Sequence, residues 1–275
     1  MACHDGQCPP LRCNWALGMT LVLLVGAMSS LRGQPSRAPD AYTTQQSGRG
    51  SSTTGSAVRL SLQGCEPYGD AVQSAVDSAH PPYLNQAQLL WIAAALQGRG
   101  AAAAGGGGTR FLVFGLGYDS QVWVAANCGG ETIFLEDSAV WIHNVTTSYP
   151  NIKALLVSYR GRLNDTAKFF ASPWLMEVPE SVGKACWENI LVDAPMGYKP
   201  YHPGRMESTY YAVHTARRCI AAGEVADVII FLHDVQRPVE SKLIARYLAA
   251  PDIVRLGVIK GRNGNLAAFR VVRPL

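Results

Sequence analysis

Twice in this chain a carboxylate stands directly against the end of an apolar, strand-like run: Asp193 in ILVDAP, and Asp234 in IIFLHDV, where His233 precedes it. A carboxylate placed there loses hydration and feels its neighbours strongly, so its proton affinity shifts and it becomes suited to taking a proton or holding a cation. Asp193, His233 and Asp234 are the candidate bases. The two carboxylates are alternatively ligands for a divalent cation that would acidify a hydroxyl. A second constellation lies upstream. The run RFLVF leads into Gly115 and Gly117 of FGLGYDS, and a second run, Glu131 to Leu135, ends on Glu136. Glycines at a strand exit let backbone approach a ligand, and a carboxylate about 20 residues on accepts the hydroxyls of a ribose. Only G-x-G is present, with Asp119 and Ser120 where a dinucleotide fingerprint carries its third glycine. The third group is the Pro/Gly-shaped loop from Gly197 to Met206, which carries Tyr198, Lys199, Tyr201 and Arg205. Arg205 can grip a carboxylate with two parallel hydrogen bonds, and tyrosines can stack on sugar faces. Lys199 adds a cation to the same loop, and Arg237, just past His233-Asp234, is a further candidate for the same anionic group.

These residues need a sheet to hold them. Apolar runs predict strands at Arg110 onward, Glu131 to Leu135, Ala154 to Tyr159, Asn189 to Val192 and Val228 to Leu232. Helical spacing predicts helices over Asp70 to Ala79, Gln86 to Gln97, Ser120 to Asn127, Ala139 to Ser148, Met206 to Ala222 and Val239 to Ala249. Gly98 reads as a helix stop, and GRGAAAAGGGGT after it as a loop. Strand and helix in alternation give a mostly parallel sheet with helices on both faces. The end differs: Val254 to Lys260 and Leu266 to Val272, joined by Gly261-Arg262-Asn263-Gly264, read as a β-hairpin. Seven strands with the last antiparallel is the α/β, Rossmann-like plan of class I S-adenosylmethionine-dependent methyltransferases. A dinucleotide dehydrogenase completes a second nucleotide-binding half instead. On this plan the ligand lies beyond the carboxyl ends of the strands, where Gly115, Gly117, Glu136, Asp137, Tyr159, Asp193, His233 and Asp234 fall. A methyltransferase must hold the donor's methyl in line with an oxygen and remove that oxygen's proton.

The composition is globular, 48% hydrophobic and 16% charged over 275 residues, and a net charge of +4 is too small for a nucleic-acid protein. It is compatible with an acidic small molecule or polymer. Residues 13–31 contain no charge and are bracketed by Arg12 and Arg32, which predicts a signal anchor after a cytosolic tail, 1–12. The polar segment 32–58 predicts a flexible stem, leaving 59–275 as the catalytic domain in the secretory lumen. Of seven cysteines, Cys65, Cys128, Cys186 and Cys219 follow the anchor; they can pair in an oxidising lumen or remain buried thiols. Asn144-Val145-Thr146 and Asn164-Asp165-Thr166 are glycosylation sequons.

The ordered motifs FLVFGLGYDS, TIFLEDS, LVDAPMGY, PGRM and FLHDVQR resemble the plant glucuronoxylan 4-O-methyltransferase family, the DUF579 polysaccharide-biosynthesis proteins, over roughly Ala87 to Val272. The resemblance implies methyl transfer from S-adenosylmethionine to O-4 of glucuronic acid on xylan or arabinogalactan. Some members affect xylan without an established transferase activity, so a non-catalytic assembly protein is the alternative. It carries Gly115, Gly117 and Glu136 over as cofactor contacts, Asp193, His233 and Asp234 as the reaction centre, and Arg205 as a uronate contact. It also implies a single-pass type II protein of the Golgi membrane. Between Arg160 and Trp187 the chain departs from the family, with Cys186 alone where a cysteine pair is usual.

Overall fold

Strand β1 (Arg110–Phe114) lies inside the sheet, with a strand on either side, as its apolar side chains on both faces require. Alternation sends Phe111 and Val113 into one hydrophobic layer, and Leu112 and Phe114 into the other. The computed structural model describes residues 68–102 and 108–274 of the chain. The tail, anchor and stem expected over 1–12, 13–31 and 32–58 lie outside the described residues. Among those described, no helix is long and apolar enough to cross a membrane.

Two helices, α1 (Tyr68–Val76) and α2 (Gln86–Ala102), precede β1, and α3 (Ser120–Ala126), β2 (Glu131–Glu136), α4 (Ala139–Ser148) and β3 (Lys153–Leu156) follow it. Then come a 3-10 turn (Leu163–Asp165), α5 (Thr166–Ala171), α6 (Glu180–Lys184), β4 (Asn189–Val192), α7 (Met206–Ala221) and β5 (Asp227–His233). The chain ends with α8 (Pro238–Leu243), a π-helical turn (Ile244–Leu248) and the hairpin β6 (Ile253–Ile259) and β7 (Leu266–Val272). The strand order is β3-β2-β1-β4-β5-β7-β6. The first five strands are parallel, and β7 runs antiparallel to both β5 and β6. This is the seven-stranded class I methyltransferase sheet.

One layer is built on α2, where Leu89, Ile92, Ala93 and Leu96 recur at helical spacing and are buried against Phe111, Phe134 and Phe231. The other is built on α7, whose Ala212, Val213, Ala216 and Ile220 cover Leu112, Ile190 and Ile230. Helix α7 ends as its glycine predicts. Gly223 has φ 74°, and the amides of Gly223 and Glu224 reach back to the carbonyls of Ile220 and Cys219, a Schellman closure.

Three expectations are corrected. Helix α2 does not stop at Gly98 but continues to Ala102. Each of Gly98 and Gly100 costs the helix only about 1 kcal/mol, and Arg99 between them is ion-paired with Asp227 at the start of β5. Strand β3 ends at Leu156 rather than Tyr159, because past the Val157–Glu136 amide bond the chain leaves the sheet. The final helix changes to π winding after Leu243. The stretch between Tyr159 and Trp187 holds three short helical pieces, none long enough to show a period in sequence. Cys186 has its partner elsewhere: it forms a disulfide with Cys219 of α7, with Cα atoms 5.5 Å apart.

Candidate active site

The parallel register sets four strand ends side by side. Phe114 is level with Leu135 and with Val192, and Val192 with Leu232. The next residues, Gly115, Glu136, Asp193 and His233, therefore form one rank along the carboxyl edge of the sheet. Strand polarity alone brings these sequence-predicted positions together.

Within the rank, Asp193 is held from two sides. His233 Nδ1 lies 2.7 Å from Asp193 Oδ1, and Arg205 Nη2 donates to the same oxygen at 2.9 Å and to the Asp193 carbonyl at 2.7 Å. Burial alone would raise the Asp193 carboxyl. His233, through charge and hydrogen bond, and then Arg205 and Arg237 outweigh it and hold Asp193 below the ordinary carboxylate range. Its side chain keeps 22% of its exposure, against 3% for His233 and 3% for Asp234, so Asp193 is the most open of the three.

His233 and Asp234 have a different place from the one expected. His233 Nε2 is buried with no hydrogen-bond partner among the described residues, and a Cβ on Gly264 would stand 2.5 Å from it. The hairpin turn thus closes over the ring, leaving His233 to orient Asp193 through Nδ1 rather than to meet an acceptor. Asp234 has φ 64°, rare outside glycine, and its Oδ2 accepts from Arg205 Nη1 at 2.6 Å and Arg237 Nη2 at 2.8 Å. It is an internal counter-ion.

Arg205 corrects the sequence reading most. It was expected to grip an acceptor carboxylate, yet it is 4% exposed, and its terminal nitrogens are taken by Asp193, Asp234 and the His233 carbonyl. Arg237 is part-buried, its side chain 28% exposed, with Nη1 buried and Nη2 on Asp234. Of the three cations expected to bind substrate, Lys199 alone is exposed. Its Nζ lies 5.7 Å above the Tyr201 ring, and Tyr198 and Tyr201 flank His202 with ring centroids 4.3 and 4.8 Å away. Both tyrosines are over 60% exposed, so this edge of the cleft offers open aromatic faces.

The glycine loop builds the other end of the rank. Gly115 has φ 113°, and a Cβ there would come within 2.9 Å of the Ala194 Cβ, so glycine is required for the β1 exit to pass the β4 exit. Glu136 accepts from the Leu116 amide through Oε2 at 3.1 Å and from the Ser138 amide through Oε1 at 3.0 Å. Each oxygen retains a lone pair for a ribose hydroxyl. Burial raises its carboxyl to about 6. Trp141 Nε1 donates to the Leu116 carbonyl at 2.5 Å and pins the loop to α4. Tyr159 is buried, and burial followed by the charges of Asp137, Glu136 and Glu207 raises its hydroxyl well above the usual range. Sequence reasoning passed over Asp119, which is 7% exposed on this loop. The one signal for it was a carboxylate in the place of a third glycine.

Asp193, His233 and Asp234 present ligand atoms within 4.8 Å of one another, close enough for a metal ion. The donor set nonetheless fits poorly. The Arg205 guanidinium bridges both carboxylates where a cation would need them free, and His233 Nδ1 is used on Asp193. A cavity of about 700 Å³ lies apart from this cleft between α1, α3 and α4, reaching Gly117 and Tyr118 but not Gly115, Glu136 or Asp193.

Comparison with known proteins places the chain. It is 34% identical over 180 residues to glucuronoxylan 4-O-methyltransferase 2 of Arabidopsis thaliana, covering 59% of each protein. To arabinogalactan O-methyltransferase 2 of the same plant it is 37% identical over 161 residues, covering 50% of this chain and 54% of that protein. To Protein IRREGULAR XYLEM 15 the identity is 25% over 166 residues, covering 53% and 51%. The chain thus spans little more than half the length of the curated relatives it matches. Magnesium protoporphyrin IX methyltransferase from Synechocystis PCC 6803 with bound SAM superposes with a TM-score of 0.42 at 11% identity, covering 75% of this chain and 91% of that one. The fold assignment rests on strand order and register rather than on that likeness. The sequence profile of the IRX15/IRX15L/GXM family matches residues 102–174 and 171–256, and the chain belongs to that family.

Proposed function

We propose that this protein transfers the methyl group of S-adenosylmethionine to a hydroxyl of a uronic acid on a cell-wall glycan, O-4 of glucuronic acid in a glucuronoxylan or arabinogalactan. The observation that carries the reading is the rank of strand ends, in which the glycine loop and Glu136 adjoin a single half-open carboxylate, Asp193. When bound, the donor supplies an electrophilic methyl group on a sulfonium. Gly115, Gly117 and Glu136 hold it by close backbone approach and by the ribose hydroxyls.

Asp193 takes the proton from the acceptor oxygen as the new C–O bond forms and the S–CH3 bond breaks. A weak base suffices, because the hydroxyl becomes strongly acidic only as the oxygen forms its third bond, to the methyl carbon. His233 and Arg205 fix the carboxylate's direction and keep it ionised. Tyr198 and Tyr201 stack against pyranose faces, and Lys199 pairs with the uronate.

The site we propose for this activity is the Golgi lumen, with residues 13–31 as a membrane anchor. The Cys186–Cys219 disulfide supports an oxidising compartment. The test is incubation with labelled donor and a panel of uronate-bearing glycans, followed by linkage analysis. Methyl groups on O-4 of glucuronic acid are expected. Asp193→Asn should lower transfer about 10²-fold or more while changing donor affinity by less than about threefold. Label on a neutral sugar would overturn the acceptor assignment, and a protein that binds no donor would be the non-catalytic assembly protein instead.

A further inference from the structure

The glycine loop carries a carboxylate that the reaction above does not use. Asp119 occupies the N-cap of α3, where an aspartate ordinarily accepts from the first helical amides, yet its side chain makes no such bond. It folds back over the loop: a Cβ on Gly117 would lie 2.5 Å from Asp119 Oδ1, so the carboxylate rests on the face of a glycine assigned to the donor. It is 7% exposed and within electrostatic reach of Asp193 at the end of β4 and His233 at the end of β5, with Trp123 beside it on its own helix. The site's arginines do not serve it, since Arg205 and Arg237 are committed to Asp193 and Asp234. A buried carboxylate on the donor loop, folded over Gly117 and lacking those cations, is placed to receive a positive charge from a ligand.

We propose that Asp119 reads the positive charge of the methyl donor, facing the sulfonium from Gly117 and so favouring S-adenosylmethionine over the neutral product S-adenosylhomocysteine. The inference rests on the donor assignment made above. The two ligands share adenine, ribose, α-amino and α-carboxylate groups, and differ in one methyl and one charge at sulfur. A negative charge beside the sulfur is the feature that separates them, and it favours product release after each transfer. Burial, then Asp193, pushes the Asp119 carboxyl up to about 7, so in the empty protein much of it is protonated near neutrality. The incoming sulfonium stabilises the ionised form and expels that proton.

Calorimetry on the full chain with each ligand tests this. Asp119→Asn should weaken S-adenosylmethionine binding about tenfold and change S-adenosylhomocysteine binding by less than about threefold, so that the preference collapses. In wild type the ratio of the two affinities should rise between about pH 6 and pH 8. The α-amino group titrates in both ligands and cancels from that ratio. The rise should vanish in Asp119→Asn; if it persists there, another group is its source and the assignment fails. Equal weakening of both ligands, or of neither, also overturns it. Should Asp119→Asn not fold, a flat wild-type ratio across that range refutes the proposal and a rising one supports it. A wild-type protein that binds neither ligand overturns the donor assignment itself, a distinct result.

Discussion

Replacing Arg205 with methionine keeps the length of the side chain and removes the charge that binds Asp193 to Asp234. The guanidinium is 4% exposed and makes ion pairs of 2.9 and 2.6 Å with the two carboxylates, besides bonds to the carbonyls of Asp193 and His233. Removing one partner of a buried ionic cluster leaves the others uncompensated, at about 3–5 kcal/mol. For a domain of this size that is a fall of roughly 6–20 °C in melting temperature. The pH dependence carries the sharper test. Asp193 has a carboxyl held below its ordinary value, so its contribution to stability is full above about pH 4 and is lost as pH falls through the lower folded value. In Arg205→Met the carboxyl of Asp193 rises, and protonation relieves the variant earlier than the wild type. The gap between the two melting curves should be widest near pH 7 and narrow toward about pH 4. Differential scanning calorimetry across that range measures it, with methyl transfer at low temperature as the second readout. A gap below about 2 °C at neutral pH, or one that does not change with pH, would refute the view that Arg205 holds the reaction centre together.

Three further outcomes follow from the same geometry. Gly264→Ala should cost about 1–3 kcal/mol and lower transfer, because its Cβ would press on His233 Nε2 and Cε1 at 2.5 and 2.8 Å; thermal melting and single-turnover rates check it. Cys219→Ser should destabilise by about 3–4 kcal/mol, the loop entropy released when a cross-link spanning 33 positions is lost, and the measurement is a denaturant midpoint with and without reductant. Glu136 has a carboxyl raised by burial to about 6, above its unfolded value, so its contribution to stability is full below about pH 4.5 and lost as pH rises through about 6. Glu136→Gln should flatten that limb, by up to about 2 kcal/mol, in a melting temperature series against pH.

The sheet was legible where burial acts on both faces of a strand. RFLVF, ILV and the residues before His233 are apolar without alternation, and each became a central parallel strand. The turn rich in glycine and asparagine was enough to identify the terminal hairpin and with it the fold class. Local signals misled where a tertiary contact outweighed them, as when the Arg99–Asp227 ion pair carries α2 past Gly98. The five- and six-residue helices after Tyr159 complete too few turns to leave a hydrophobic period. The bond between Cys186 and Cys219 joins segments whose closeness only the folded sheet determines.

At the site, positions were legible and directions were not. Sequence places Asp193, His233 and Asp234 as equivalents at adjoining strand ends, but each side chain's surroundings divide their labour. The hairpin turn at Gly264 seals the imidazole, and two arginines enclose Asp234. What remains open is the one carboxylate whose other contacts all serve to aim it. The same logic explains why a basic loop does not present all its cations to an acidic polymer. Two buried carboxylates this close need an internal guanidinium between them, so Arg205 belongs to the protein, and under the proposed function recognition of the acceptor is left to Lys199 and the exposed tyrosines beside it.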